Sequence, residues 1–112
     1  MYVLELGGED DDFAALEAGT AASDVSVLAP GLATARGITD RVATLAYTHR
    51  ASELLARTEP TVDAAEAALA AATIDRLGTV AVRAVDVRGA TGVDTQRAER
   101  ALGQVLVDRG FA

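Results

Sequence analysis

Residues 79–92, TVAVRAVDVRGATG, are the stretch around which the rest of the sequence is organised. The run is rich in valine and ends in turn residues, a pattern typical of a buried strand that leads into a helix. It carries the guanidinium groups of Arg83 and Arg88 toward the turn. Guanidinium forks and the free N–H groups at a helix start both bind anions. We therefore expect Arg83, Arg88 and the helix approach at Thr91 and Gly92 to hold a phosphate backbone.

Structural roles are the alternative for the same residues. An arginine on a buried strand is often the partner of a carboxylate, and the nearby candidates are Asp75, Asp86 and Asp94. The turn could also be a turn and nothing more, since glycine is common in loops. Because Arg83 and Arg88 are five positions apart, they face opposite sides of a regular strand. Both can serve one site only if a bulge or twist lies between them.

The composition is globular and strongly acidic. Half of the 112 residues are hydrophobic, and the net charge is −7. All ten basic residues are arginine, and the chain has no lysine, cysteine, asparagine or tryptophan. An acidic, lysine-free, alanine-rich composition resembles the proteins of extreme halophiles. At about 1 M salt the Debye length falls to roughly 3 Å, so acidity opposes a nucleic-acid partner less than it would at low salt.

The residue inventory excludes several kinds of chemistry. Without cysteine there is no disulfide, thiol nucleophile or thiolate metal site, and one histidine cannot plausibly serve a zinc site or a catalytic triad. A Walker-type loop would need a lysine. We expect no cofactor and no metal in this chain, which alone is not an enzyme. The acidic run at residues 9–12 is interpreted as a helix start and surface feature, with a divalent-metal site as the weaker alternative.

No targeting or spanning segment is recognisable in the sequence. The first six residues, MYVLEL, lack a basic region followed by a long apolar run, and no later apolar run approaches 18 residues. We expect a cytoplasmic protein without a membrane partner.

The first half of the chain predicts a ferredoxin-like βαββαβ unit. Strands are expected at residues 2–6, 25–28 and 32–36, with a helix reaching residue 21 and a short helix carrying Val42, Leu45 and Ala46. Residues 47–57 fit either a helix or a strand, and we choose a strand near residues 50–55. Immediately before this strand, His49 could stack on a base or contact phosphate, although a packing role is the alternative.

The second half predicts a helix, one strand and a second helix. Thr61 can cap a helix over residues 62–72, Asp94 or Thr95 can cap the last helix, and Gly110 is a natural stop. A single strand has unpaired edges and no sheet to join. We therefore expect a fragment of a longer protein, in which exposed strand edges could pair two copies into a homo-oligomer.

Four segments together suggest a family: MYVLELGGEDDDFAALEA, LATARGITDRVATLAYTHRASELLAR, TVAVRAVDVRG and QRAERALGQVLVDRG. Their order and spacing resemble the N-terminal part of haloarchaeal tRNA guanine-10 N2-methyltransferases. The resemblance implies an α+β chain with a ferredoxin-like domain at residues 1–58 and the N-terminal half of a THUMP RNA-binding domain at residues 59–112. It implies an S-adenosylmethionine-dependent catalytic domain beyond these residues. The positions that carry over from the THUMP pattern are Arg83, Arg88 and Gly89.

The resulting functional hypothesis is a region that binds and positions tRNA for methylation of a guanosine. Arg83, Arg88, Thr91 and Gly92 would contact phosphates, and the lesser candidates are Arg50 and His49. The rival hypothesis is a small ferredoxin-like regulatory or oligomerisation module that does not bind RNA.

Overall fold

The computed structural model describes residues 1–75 and 78–111, and the predictions that include residues 76, 77 and 112 lie outside the described part at those positions. The chain divides into two compact units, Met1–Leu54 and Leu55–Ala112. The division falls four residues before the predicted boundary at residue 58. The helix and strand content is mixed α+β, as predicted.

The first unit is built on a four-stranded antiparallel sheet. Its elements, in chain order, are β1 (Tyr2–Leu6), α1 (Asp11–Ala18), β2 (Ala22–Ser23), β3 (Ser26–Ala29), β4 (Leu32–Ala35), β5 (Gly37–Ile38), a 3₁₀ turn (Asp40–Thr44) and β6 (Thr48–Glu53). The strand order is β3-β4-β1-β6, and β1 pairs antiparallel with both β4 and β6. A separate short pair joins β2 to β5. The edge strands of the main sheet are therefore β3 and β6.

The core of this unit lies between α1 and one face of the sheet. Leu4 and Leu6 alternate along β1 toward that face and are buried, and Leu4 stands opposite Ala33 in the register. The other members of the buried cluster are all alanines: Ala14, Ala18, Ala33 and Ala35. Small side chains let the helix approach the sheet closely, so the two leucines supply most of the buried apolar volume. Full burial of one leucine contributes about 2 kcal/mol.

The predicted elements of the first half are present with shifted bounds. The predicted strand at residues 25–28 is observed at Ser26–Ala29, and the helix expected to reach residue 21 ends at Ala18. The helix predicted around Val42 is a single 3₁₀ turn. The ambiguous residues 47–57 contain a strand, as chosen, because β1 offers them a hydrogen-bonding partner over the full length of β6.

The second unit contains two capped helices, α2 (Val62–Ala71) and α3 (Thr95–Asp108). The Thr61 hydroxyl accepts a hydrogen bond from the Ala64 amide at 3.2 Å. In the same way, the Asp94 carboxylate accepts from the Arg97 amide at 3.1 Å. The sequence predicted Thr61 as the cap of α2 and left Asp94 and Thr95 as alternatives for α3. Each satisfies a backbone donor that has no partner inside its helix.

Two contacts show that α2 and α3 run in the same direction. Near their N-terminal ends, the Arg97 guanidinium lies 3.6 Å from the Asp63 carboxylate. Near their C-terminal ends, Arg109 Nη1 donates to the carbonyl oxygen of Leu69 at 2.7 Å. Because the end of α2 and the start of α3 lie at opposite ends of the pair, the connection between them has to return along the helices.

That connection contains the stretch 79–92, and the prediction that it forms a buried strand is wrong. Residues 79–86 have no regular secondary structure and are followed by a 3₁₀ turn at Val87–Gly89. Val80 and Val85 are 37% and 55% exposed. A strand needs a partner strand, and the second unit has none among its described residues. The order helix, strand, helix is corrected to helix, extended connection, helix.

Candidate nucleic-acid interface

The predicted site residues of the second unit lie in one short loop before α3. Arg83 and Arg88 are both exposed. Arg88 has φ 55° and lies inside the 3₁₀ turn, and Gly89 follows with φ 63°. Because the chain turns here, the alternation of a regular strand does not separate the two arginines.

Asp86 organises this loop. Its Oδ1 accepts hydrogen bonds from the Thr91 amide at 3.1 Å and from Thr91 Oγ1 at 2.9 Å. Its Oδ2 accepts from the Gly92 amide at 2.8 Å. The hydrogen bond from the Thr91 amide is the main cause that lowers the pKa of the Asp86 carboxyl below its ordinary value. The hydrogen bonds from the Thr91 hydroxyl and the Gly92 amide act in the same direction.

The backbone donors that were predicted to bind phosphate therefore already hold an anion. A phosphate oxygen would have to displace Asp86 from the Thr91 and Gly92 amides. The start of α3 carries a second carboxylate, because Asp94 caps the helix. The guanidinium groups of Arg83 and Arg88 are the remaining phosphate-binding candidates in this loop, and the roles of all five predicted residues stay predictions.

Asp86 and Asp94 were candidates to pair with an arginine. Both carboxylates accept hydrogen bonds from backbone amides, and their pairing with an arginine stays a prediction. The extended segment is tied to α3 by a different carboxylate, since the Ala84 amide donates to Glu99 Oε1 at 3.0 Å. That contact joins residues 15 apart, and no local pattern in the sequence indicates it.

His49 and Arg50 form a separate group in the first unit, on β6. Arg50 stands opposite Glu5 of β1 in the register and is exposed. The His49 side chain is also exposed, and its ring lies against the backbone of Gly7. A methyl group built on Gly7 would lie 2.9 Å from His49 Cδ2, and closer to other ring atoms. The ring therefore lies close to Gly7 and is still accessible, and the role of His49 stays a prediction.

Sequence reasoning missed a cluster at the start of α1. The rings of Phe13 and Tyr47 meet at 81° with their centroids 5.4 Å apart. The Glu17 carboxylate accepts from the Tyr47 amide at 2.9 Å and from the Ala46 amide at 3.2 Å. Residues this distant in sequence give no periodic signal. The glycine pair at residues 7 and 8 was the one available indication of close packing at this point.

In residues 1–75 and 78–111, no group of three or more histidine, aspartate or glutamate side chains is placed to hold a metal ion. Within the same ranges, no helix has the length and apolarity that crossing a membrane requires.

Comparison of the chain with protein-family models, curated proteins and solved structures finds no match.

Proposed function

We propose that this chain is the tRNA-binding and positioning region of an S-adenosylmethionine-dependent tRNA (guanine-N2) methyltransferase, whose catalytic domain lies outside these 112 residues. The observation that carries the proposal is the exposure of Arg83 and Arg88 in one extended, turning segment. The second unit would be part of a THUMP domain. In this proposal S-adenosylmethionine binds the catalytic domain, so no residue here contacts it.

The sheet of the first unit supports the ferredoxin-like part of the proposal. A βαββαβ unit has four long strands, and here these are β1, β3, β4 and β6. Counted along the chain, β3, β4 and β6 are the second, third and fourth of these strands. In the sheet β3 lies beside β4, β4 beside β1, and β1 beside β6, and every pair is antiparallel. The first crossover helix is α1. The 3₁₀ turn at Asp40–Thr44 occupies the place of the second.

The proposed arginine contacts would act at short range. With a net charge of −7, the chain repels a polyanion at low salt. Bidentate bonds from guanidinium to phosphate depend on contact geometry, and they persist when long-range repulsion is screened. Phosphate contacts fix the register of an RNA without reading its bases. The choice of the modified nucleotide therefore belongs to other contacts.

The test is tRNA binding by fluorescence anisotropy, with the full chain at about 1 M KCl, where the Debye length is roughly 3 Å. Arg83→Ala/Arg88→Ala should raise the Kd about tenfold, since loss of two charge-assisted contacts amounts to about 1.4 kcal/mol or more. The matched control is Arg36→Ala/Arg41→Ala, which removes the same charge from exposed positions of the first unit. Equal affinity of both double variants and the wild type would reject the arginine site.

One observation favours the rival function of an oligomerisation module. The edge strand β3 exposes Val27 and Leu28, each at 39%. Apolar side chains on an open edge are suited to pairing with another chain. If this edge joins two copies, sedimentation velocity will show a dimer that Val27→Lys dissociates, and tRNA binding will be absent. A monomer across the concentration range would exclude this function.

A further inference from the structure

A cleft of about 340 Å³ opens at the start of α1 in the first unit. Its lining residues are Gly8, Glu9, Asp10, Phe13 and Tyr47. None of them belongs to the proposed tRNA site. The volume is at the lower end of the range for sites that bind small molecules.

The wall of the cleft is an exposed aromatic pair. The chain has two phenylalanines and two tyrosines, and one of each meets here in edge-to-face contact. Phe13 is 54% exposed and Tyr47 is 39% exposed, whereas Phe111 is buried. Rings of this size stabilise a protein most when they are buried. Because both rings are partly exposed and lie outside the buried core, their π surface is available to a ligand.

The two rings are held in place by backbone contacts. The Phe13 amide donates to Asp10 Oδ1 at 3.1 Å, which fixes the first turn of α1. The Tyr47 carbonyl accepts from the Gly7 amide at 2.9 Å, and its amide donates to Glu17. Beneath the tyrosine ring, Gly8 has φ 84°, and a methyl group there would lie 3.0 Å from Tyr47 Cδ1. The absence of a side chain at Gly8 therefore gives the cleft its depth.

The charge of the cleft has one sign. Glu9 and Asp10 line it, Asp11 and Asp12 follow in the first turn of the helix, and no basic side chain is among the lining residues. These carboxylates outweigh the partial positive charge at the start of an eight-residue helix. Phosphate would be repelled here. A cation would meet both the negative faces of the rings and the carboxylates.

We propose that this cleft binds an organic cation, a guanidinium or alkylammonium group, against the exposed surfaces of the Phe13 and Tyr47 rings and beside the carboxylate of Glu9. Inorganic cations are less suited, because they lack the apolar surface that the rings would cover. The proposal does not depend on tRNA binding. A free small molecule and the side chain of a partner protein could both supply this chemistry, and the choice of probes separates them.

The test uses matched charged and neutral probes with the wild-type chain. Choline and N-acetylargininamide are titrated at constant chloride, and the aromatic ¹³C–¹H resonances of Phe13 and Tyr47 are followed by NMR. We expect saturable shifts for both cations, and little effect from their uncharged counterparts, 3,3-dimethylbutan-1-ol and N-acetylcitrullinamide. An arginine-containing peptide that binds at least tenfold more tightly than N-acetylargininamide would identify a protein partner as the source, and equal affinity would identify a small molecule.

Variants then assign the binding to the rings. Phe13→Leu and Tyr47→Leu keep apolar bulk and remove the π face, so each should raise the Kd about two- to fivefold. Both substitutions leave the backbone hydrogen bonds in place, and circular dichroism verifies the fold. Leu16→Ala is the control, since Leu16 is exposed on the same helix and does not line the cleft.

Three outcomes would overturn the proposal. Equal shifts with the neutral analogues would show an apolar cleft without cation selectivity. Shifts that grow linearly with choline, without saturation, would show no site. Stronger perturbation of Phe13 and Tyr47 by a single-stranded RNA oligonucleotide would assign the rings to base stacking instead.

Discussion

At the scale of single residues, Gly7 is a position where a side chain has no room, because the ring of His49 occupies the space. Gly7→Ala should force His49 into a less favourable rotamer and lower the free energy of unfolding by about 1 kcal/mol. His49→Ala should remove the conflict. In urea denaturation, the double variant is therefore expected to lose less stability than the sum of the two single variants, with a coupling of about 0.5–1 kcal/mol. Strict additivity would show that the ring does not constrain Gly7.

Glu17 is a second residue with a role that sequence patterns do not predict. Its carboxylate accepts two amides, those of Ala46 and Tyr47, and so ties the segment before β6 to α1. Glu17→Gln replaces one carboxylate oxygen with an NH₂ group. That group would face a backbone N–H and could not accept its hydrogen bond. We expect a loss of about 1–2 kcal/mol in the free energy of unfolding, measured with urea.

The control for that loss is Glu53→Gln on β6. Removing one negative charge from a chain of net charge −7 should stabilise it slightly through weaker self-repulsion. Glu53 is exposed, so its substitution reports this general effect alone. If both variants change stability equally, the two hydrogen bonds of Glu17 contribute nothing measurable.

At the scale of elements, the ends of α2 and α3 were predicted correctly and a strand over residues 79–86 was not, and the reason is the range of the interactions that form each element. Thr61, Asp94 and Gly110 set helix ends through contacts within a few residues, so the sequence displays them directly. The strand near residues 50–55 formed because β1 pairs with it. The stretch 79–86 has equal strand character, and no strand of the described part of the second unit is available to pair with it. Composition alone could not separate the two cases.

Substitution by alanine should change the free energy of unfolding in opposite directions at two glycines, one inside α3 and one after its end. Gly110 has φ 96°, its amide donates to the Val107 carbonyl at 3.0 Å, and the Phe111 amide donates to Leu106 at 3.0 Å. This is a Schellman cap. Gly110→Ala should lower the free energy of unfolding by about 1–2 kcal/mol.

Gly103→Ala, inside the same helix, should raise the free energy of unfolding by up to about 1 kcal/mol, since among the described residues a methyl group there meets no atom from outside its own helix within 4 Å. Thermal unfolding of both glycine variants provides the measurement. Destabilisation by Gly103→Ala, or no effect of Gly110→Ala, would contradict this account of α3.

The Asp86 loop is predicted to depend on pH. Its hydrogen bonds hold the carboxyl pKa below the unfolded value of 3.8. The carboxylate therefore stabilises the loop fully above about pH 3.8, and this contribution is lost as the pH falls through the lower, folded pKa. Hydrogen exchange at the Thr91 and Gly92 amides should accelerate over that interval, beyond the change intrinsic to pH.

Asp86→Asn should accelerate exchange at the Thr91 and Gly92 amides at neutral pH as well, and it should remove the extra acid dependence. Asp75→Asn, at an exposed position before the loop, is the control. Unchanged protection of both amides in Asp86→Asn would show that the carboxylate does not hold the loop.

At the scale of the whole molecule, the sequence predicted the α+β composition, because it follows from local patterns. The candidate site was predicted only in part. Two arginines in a valine-rich run indicate an anion site from residue type alone. The occupation of the Thr91 and Gly92 amides by Asp86 depends on how the loop closes on itself, which no residue pattern specified.

The net charge of −7 with no lysine leads to a prediction about salt. Self-repulsion among carboxylates destabilises the folded chain, and it is screened as the Debye length falls from about 10 Å at 0.1 M to about 3 Å at 1 M salt. The melting temperature should rise by several degrees over this range, since 1 kcal/mol corresponds to roughly 4–8 °C in units of this size.

Sucrose at equal water activity is the control for the effect of KCl, because it is uncharged. It reports stabilisation by solvent exclusion without any screening of charge. Glu59 lies in the exposed segment before α2, and Glu59→Lys, which brings the net charge to −5 (−7 plus two), should flatten the salt dependence. A melting temperature that is independent of KCl but rises in sucrose would show that charge repulsion does not limit the stability of this chain.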